Sequence, residues 1–104
     1  MDFSEFYELF NSCVLISNEA ILIHNYNLYF NFERLHNFGK TTIKNFCTRK
    51  NLRLDIGAMY YTIYVAPCMS WTTIEQPQNL VEELTKEVYE NEIGGELPAN
   101  FRLS

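Results

Sequence analysis

Between residues 34 and 53 the chain carries six basic side chains and no acidic one: Arg34, Lys40, Lys44, Arg49, Lys50 and Arg53. Residues 1–33 hold five acids and no base, and residues 54–104 hold eight acids against Lys86 and Arg102. A net charge of −5 therefore conceals a sharp segregation along the chain. Segregation of this kind restricts the fold to two arrangements. Either the basic segment folds back on its acidic flanks and the charges pair internally, or the bases converge into a positive patch on an acidic protein.

A length of 104 residues suits a single domain, expected over residues 1–95, with 96–104 as a loose tail. Eight Phe, seven Tyr and one Trp supply the bulk for a core and argue against disorder. No run of 18 apolar residues is present, so no membrane contact is expected. The opening Met1-Asp2-Phe3-Ser4-Glu5 lacks the basic and apolar stretches of a signal peptide, which points to the cytoplasm, or a host's cytoplasm for a viral protein. Cys13, Cys47 and Cys68 lie far apart, and their odd number argues for buried thiols rather than a disulfide or zinc site. The abundance of Asn, Phe and Tyr is also typical of AT-rich genomes, among them those of phages and viruses.

Apolar spacing marks the elements. Phe3, Phe6, Tyr7 and Phe10 recur with helical period, so residues 3–14 are read as an amphipathic helix capped by Asp2 or Ser4. Ser17-Asn18-Glu19 looks like the start of a second helix over 17–24, but period alone does not decide so short an apolar run. The alternative is a strand through 20–24 that turns at Asn25-Tyr26-Asn27 into Leu28–Phe32. A short segment from Phe32 to Leu35 ends at Asn37-Phe38-Gly39, and a helix follows from Thr41 to Arg49 with Ile43, Phe46 and Cys47 on one face. Met59 to Val65 is rich in aromatic and β-branched residues and suits a strand. A last helix opens at Pro77, carries the stripe Leu80, Val81, Leu84 and Val88, and stops at Gly94-Gly95. Its exposed side holds Glu82, Glu83, Glu87 and Glu90. The fold class is therefore α+β, mainly helical, with a C-terminal acidic helix.

Little in the sequence supports catalysis. The four glycines form neither a dinucleotide fingerprint nor a P-loop, so no cofactor is expected. His24 and His36 stand twelve residues apart with no local metal-ligand pattern, and adjacent glutamates on a helix are ordinarily a solvated face. The segment from Phe32 to Phe46 is more specific. A short helix, a turn at Asn37-Phe38-Gly39 and a second helix describe a helix-hairpin-helix. Backbone amides at Phe38, Gly39 and Lys40 would point out of the second helix and bind a phosphate with help from its dipole. Lys40 and Lys44 would add charged contacts, with Arg34, Arg49, Lys50 and Arg53 nearby.

Residues 15–57 resemble the C-terminal domain of the bacterial RNA polymerase alpha subunit, a small helical domain built around such a hairpin. The family's turn, Asn-Phe-Gly-Lys-Lys-Ser-Leu, is matched by Asn37-Phe38-Gly39-Lys40-Thr41-Thr42-Ile43, and Ser17-Asn18-Glu19-Ala20 resembles the start of its first core helix. Glu19 aligns with the family's minor-groove arginine and Thr41 with its second turn lysine. The resemblance implies contact with a nucleic-acid backbone. A weaker pattern over Ile43 to Ile63 would fit a helix-turn-helix with Met59–Tyr64 as its recognition helix. The opposing expectation is a protein-interaction module, such as a phage or viral inhibitor of a host defence or transcription factor, that presents the acidic face Glu82, Glu83, Glu87 and Glu90 to a protein partner.

Overall fold

The computed structural model describes residues 1–17, 26–65, 77–94 and 97. Its elements in chain order are α1 (Phe3–Ser12), β1 (Val14–Ser17), β2 (Tyr26–Asn31), α2 (Phe32–Leu35), α3 (Lys40–Lys50), β3 (Arg53–Ile56), β4 (Tyr60–Val65) and α4 (Pro77–Val88), followed by a π turn over Tyr89–Ile93. The class is α+β and mainly helical. The strands form one antiparallel sheet in the order β1-β2-β4-β3, so β1 and β3 are its edges.

Period-two alternation divides the sheet into two faces. Tyr26, Leu28 and Phe30 of β2 are buried, as are Tyr61 and Ile63 of β4. The register sets Leu28 against Ile63 and Phe30 against Tyr61, so these residues share the face that the helices cover. The Phe10 ring of α1 packs 5.7 Å from Phe30, and the Phe32 ring of α2 lies edge-on to Tyr61 at 4.6 Å. Burial of these aromatic pairs stabilises the domain beyond what propensity gives four short strands.

The helix ends follow local chemistry. The Asp2 carboxylate accepts from the Glu5 N–H at 2.8 Å and caps α1 as expected. Helix α3 closes on Asn51, which adopts the left-handed conformation (φ 56°), while the Leu52 N–H reaches back to the Cys47 carbonyl at 2.9 Å. The expected stripe of α4 is buried, with Thr85 beside it donating to the Val81 carbonyl. Gly94 (φ 79°) ends the π turn.

Three expectations need correction or placement. Met59–Tyr64 is no recognition helix: β4 is an interior strand of the sheet, as its β-branched and aromatic residues favour. The helix expected over 17–24 lies outside the described residues, except that Ser17 ends β1 in register with Asn27. In the alternative, the strand over 20–24 and Asn25 lie outside the described residues, Tyr26 and Asn27 belong to β2 rather than to a turn, and Phe32 opens α2 instead of ending the strand. Of the expected tail, only Leu97 is described, half-buried against the core.

Cys13 and Cys47 are free and buried, whereas Cys68 lies outside the described residues. Burial pushes the Cys47 thiol up from 9.0 to about 11, because the anion would lose its hydration. The folded protein thus holds this proton more tightly than the unfolded chain. The stability it contributes is intact below about pH 9 and is lost as the pH rises through about 11. Urea titrations of wild type and Cys47→Ala at several pH values are expected to show a steeper alkaline decline for the wild type. A parallel decline would remove Cys47 as its source.

Candidate functional site

The turn between α2 and α3 is built as an anion site, and a carboxylate of the same chain fills it. His36 and Asn37 take left-handed φ values of 51° and 68°, and Gly39 reaches 91°. This brings the chain round in four residues and leaves Gly39 as the N-cap of α3, with no side chain of its own to cap the helix. Glu92 of the π turn supplies the cap. Its Oε1 accepts from the Gly39 N–H at 2.9 Å, and its Oε2 accepts from the Thr42 hydroxyl at 2.7 Å. The positive end of α3 attracts that charge.

The other amides expected to face a phosphate are also engaged. The Phe38 N–H donates to the Leu35 carbonyl at 2.9 Å, and the Lys40 N–H to the Asn37 carbonyl at 3.4 Å. The Phe38 ring packs 6.2 Å from Phe6. The Lys40 ammonium lies over the rings of Phe32 and Tyr61, at 5.2 and 5.5 Å, rather than beside the turn's amides.

The basic and acidic segments meet each other. Helix α3 lies against α4, where Arg49 pairs with Glu87 and Lys50 with Glu83 at 2.7 Å. Such partly exposed pairs contribute about 0–1 kcal/mol each, so they orient the helices more than they stabilise them. Arg53 sits 3.7 Å from Asp55 and 4.5 Å from the centre of the Tyr64 ring. Glu90 reaches Lys86 at 4.0 Å, and Glu82 is half-buried. Among the described residues Arg34 and Lys44 carry no ion pair, and they line different cavities, Arg34 beside Phe6 and Phe38, Lys44 beside Leu54 and Ile56. Arg49 and Lys50 stand together over the Phe46 ring, at 5.5 and 5.3 Å, whereas Lys40 and Arg53 make their ring contacts elsewhere.

No family model, curated protein or solved structure matches the chain.

The second face of the sheet is partly exposed among the described residues. Leu15, Tyr29, Thr62 and Asp55 share one row across it, and Asn27, Tyr64 and Arg53 share the next, with Asn31 and Tyr60 paired beyond them. Leu15 is 63% exposed and Tyr60 49%. The polar groups between them are ordered: the Tyr64 hydroxyl donates to Asp55 at 2.6 Å, and the Asn27 amide donates to the Tyr29 hydroxyl at 3.2 Å. Bonding to Asp55, which holds the phenolic proton, pushes the Tyr64 pKa up. A shallow cavity at one end of this face is lined by Ser12, Cys13, Leu15, Tyr29, Asn31 and Tyr60. Period-two alternation within Tyr60–Val65 is the signal that identifies Tyr60, Thr62 and Tyr64 as one face. Glu92 has no comparable signal, since its partner Gly39 is 53 residues away.

Among the described residues no three His, Cys, Asp or Glu side chains group as a metal site, and no helix is long and apolar enough to cross a membrane.

Proposed function

We propose that this chain is a non-enzymatic protein-interaction module that docks a partner protein on the second, partly exposed face of its sheet. The observation that carries the reading is the grouping of Leu15, Tyr29, Tyr60 and Tyr64 with Arg53 on that face. Tyr and Arg are enriched among residues that dominate binding energy, because each combines a large contact area with a polar tip. Here the tips are held by Asp55 and Asn27, so less freedom is lost on docking.

Electrostatics favours this reading over nucleic-acid contact. A protein neutralising three phosphates loses about fortyfold in affinity between about 50 and 200 mM salt, against 10³–10⁵ for one making about 6–10 contacts, so the electrostatic term from three bases is small. Arg34, Lys40 and Lys44 are the bases of this segment without an ion pair among the described residues; Arg34 and Lys44 line different cavities, and the Lys40 ammonium lies over the Phe32 and Tyr61 rings. On the sheet face Arg53 is offset by Asp55. The acidic helix, the other surface proposed from sequence, uses Glu83 and Glu87 to hold α3.

The test is affinity capture from a lysate of the cells that make the protein, before and after nuclease treatment. Wild type is expected to retain a stoichiometric protein. The double variant Tyr29→Ala, Tyr60→Ala is expected to weaken it by about thirtyfold or more, while its circular dichroism stays native. Recovery of nucleic acid alone before nuclease treatment, with no protein surviving it, would overturn the reading.

A further inference from the structure

We propose that the edge of β3, unpaired among the described residues, and the groove it shares with α3, receive an extended segment of a partner protein as an added strand, with apolar side chains laid on Leu52, Leu54 and Ile56 and an acidic side chain against Lys44. This rests on the reading of the chain as a protein-interaction module and assigns the partner's contacting element.

The hydrogen-bond alternation of the hairpin determines what the edge offers. The Gly57 N–H donates to the Tyr60 carbonyl at 2.9 Å, which makes that pair a hydrogen-bonded one. In an antiparallel ladder bonded and non-bonded pairs alternate. The register then makes Asp55–Thr62 and Arg53–Tyr64 the bonded pairs and Leu54–Ile63 and Ile56–Tyr61 the non-bonded ones. The N–H and C=O groups of Leu54 and Ile56 consequently point away from β4, at the edge of the sheet. Such a row of groups is matched by another extended backbone, whereas a helix has already used its own.

The side chains narrow the occupant further. Leu54 and Ile56 lie on the face turned towards the helices, in register with buried Ile63 and Tyr61, yet Ile56 is 58% exposed. Beside them runs a groove of about 410 Å³, walled by Lys44, Cys47 and Thr48 of α3 on one side and by Leu54 and Ile56 on the other. Leu52, Leu54 and Ile56 in its lining accept alternate apolar side chains of an added strand, while Lys44, Thr48 and Asn51 give it polar groups. Lys44 is the cation of that groove and has no ion pair among the described residues, so an Asp or Glu of the incoming segment complements it. The edge adjoins the second face of the sheet at Arg53 and Asp55, which allows one partner to cover both.

The experiment selects from a displayed library of random peptides of about eight residues, an ordinary strand length, using the intact chain as bait. Enriched sequences are expected to alternate apolar residues and to carry Asp or Glu. A synthetic copy of the best one is expected to slow amide exchange at Leu54 and Ile56 in the wild-type protein. Ile56→Pro removes a donor that points outward and no bond to β4, so the sheet is retained. It is expected to lower affinity by about tenfold or more, as is Lys44→Glu, whereas Ile56→Val stays within about threefold. The proposal is overturned by three results: no enrichment over an Ile56→Pro bait, a bound peptide that leaves both amides exchanging as before, or a concentration-dependent dimer of this chain that Ile56→Pro abolishes. If protein capture through Tyr29 and Tyr60 persists alongside any of these, the strand proposal alone fails. If capture of protein is lost altogether, the module reading fails as well.

Discussion

Phe10→Ala is expected to lower the free energy of unfolding by about 3–5 kcal/mol, the usual cost of emptying a buried Phe site. Phe10 is fully buried, and its ring packs against Phe6 at 5.5 Å and Phe30 at 5.7 Å. It therefore joins α1 to the centre of the sheet. It also borders the hairpin turn: a Cβ built on Gly39 would lie 3.7 Å from its ring and 3.4 Å from both methyl groups of Val88. One side chain thus packs against α1 and β2 and stands beside the turn. No neighbour can fill the space without leaving another contact, so relaxation recovers little. Domains of this size have about 5–15 kcal/mol in all, and the variant would hold little reserve. Urea unfolding followed by circular dichroism checks it, with half-buried Tyr7→Ala as the comparison expected to cost less. A loss below about 1 kcal/mol for Phe10→Ala would mean that α1 is not held against the sheet by this ring.

The position of Phe10 was readable because its evidence is local. Four aromatic residues at helical spacing, with Glu5 and Glu8 opposite, admit one arrangement against a core. The same holds for α4, whose stripe and acidic side are separated by period alone, and for β4, where consecutive β-branched and aromatic residues outweigh any helical pattern. Strand β2 was harder. Its sequence Tyr-Asn-Leu-Tyr-Phe-Asn alternates cleanly, but the family resemblance favours a helix over 17–24 just upstream, and a short run cannot show whether a partner strand exists. That partner, β4, comes about thirty residues later, with Leu28 opposite Ile63.

The candidate site divides in the same way. The left-handed turn at Asn37-Phe38-Gly39 and the helix after it were legible, since glycine and asparagine are the residues that tolerate those φ values. What the turn binds was not. The charge segregation admitted both a positive patch and internal pairing, and the choice depended on contacts between residues 38 to 53 positions apart: Arg49 with Glu87, and Gly39 with Glu92. No window on the sequence contains both members of such a pair. The basic segment looked like a site for a foreign anion because the protein's own anion arrives from the far end of the chain.

Glu92→Ala is accordingly expected to cost about 1–3 kcal/mol, more than an exposed carboxylate ordinarily contributes. Two donors are left without a partner by this change, and one of them, the N–H of buried Gly39, has poor access to water. The attraction between the carboxylate and the α3 dipole is lost as well. Glu92→Gln keeps an acceptor for one donor but no charge, and is expected to fall between the two. Thr42→Val should be nearly silent in the Glu92→Ala background and costly in the wild type, because its hydroxyl is bonded to that carboxylate. The same variant tests what the turn would have been without its occupant. With Glu92 gone, the Gly39 amide and the Thr42 hydroxyl are donors at a helix N-terminus, and an inorganic anion can replace the carboxylate. Sulfate raises the stability of most proteins through exclusion from their surfaces, so the wild type gains that much. Glu92→Ala is expected to gain more at matched ionic strength, by the amount that binding to the folded state adds. Urea titrations of both proteins in chloride and in sulfate separate the two contributions. Equal gains, together with a loss below about 0.5 kcal/mol in chloride, would show that Glu92 is a bystander at the end of α3 and would return the turn to the list of surfaces able to take a phosphate.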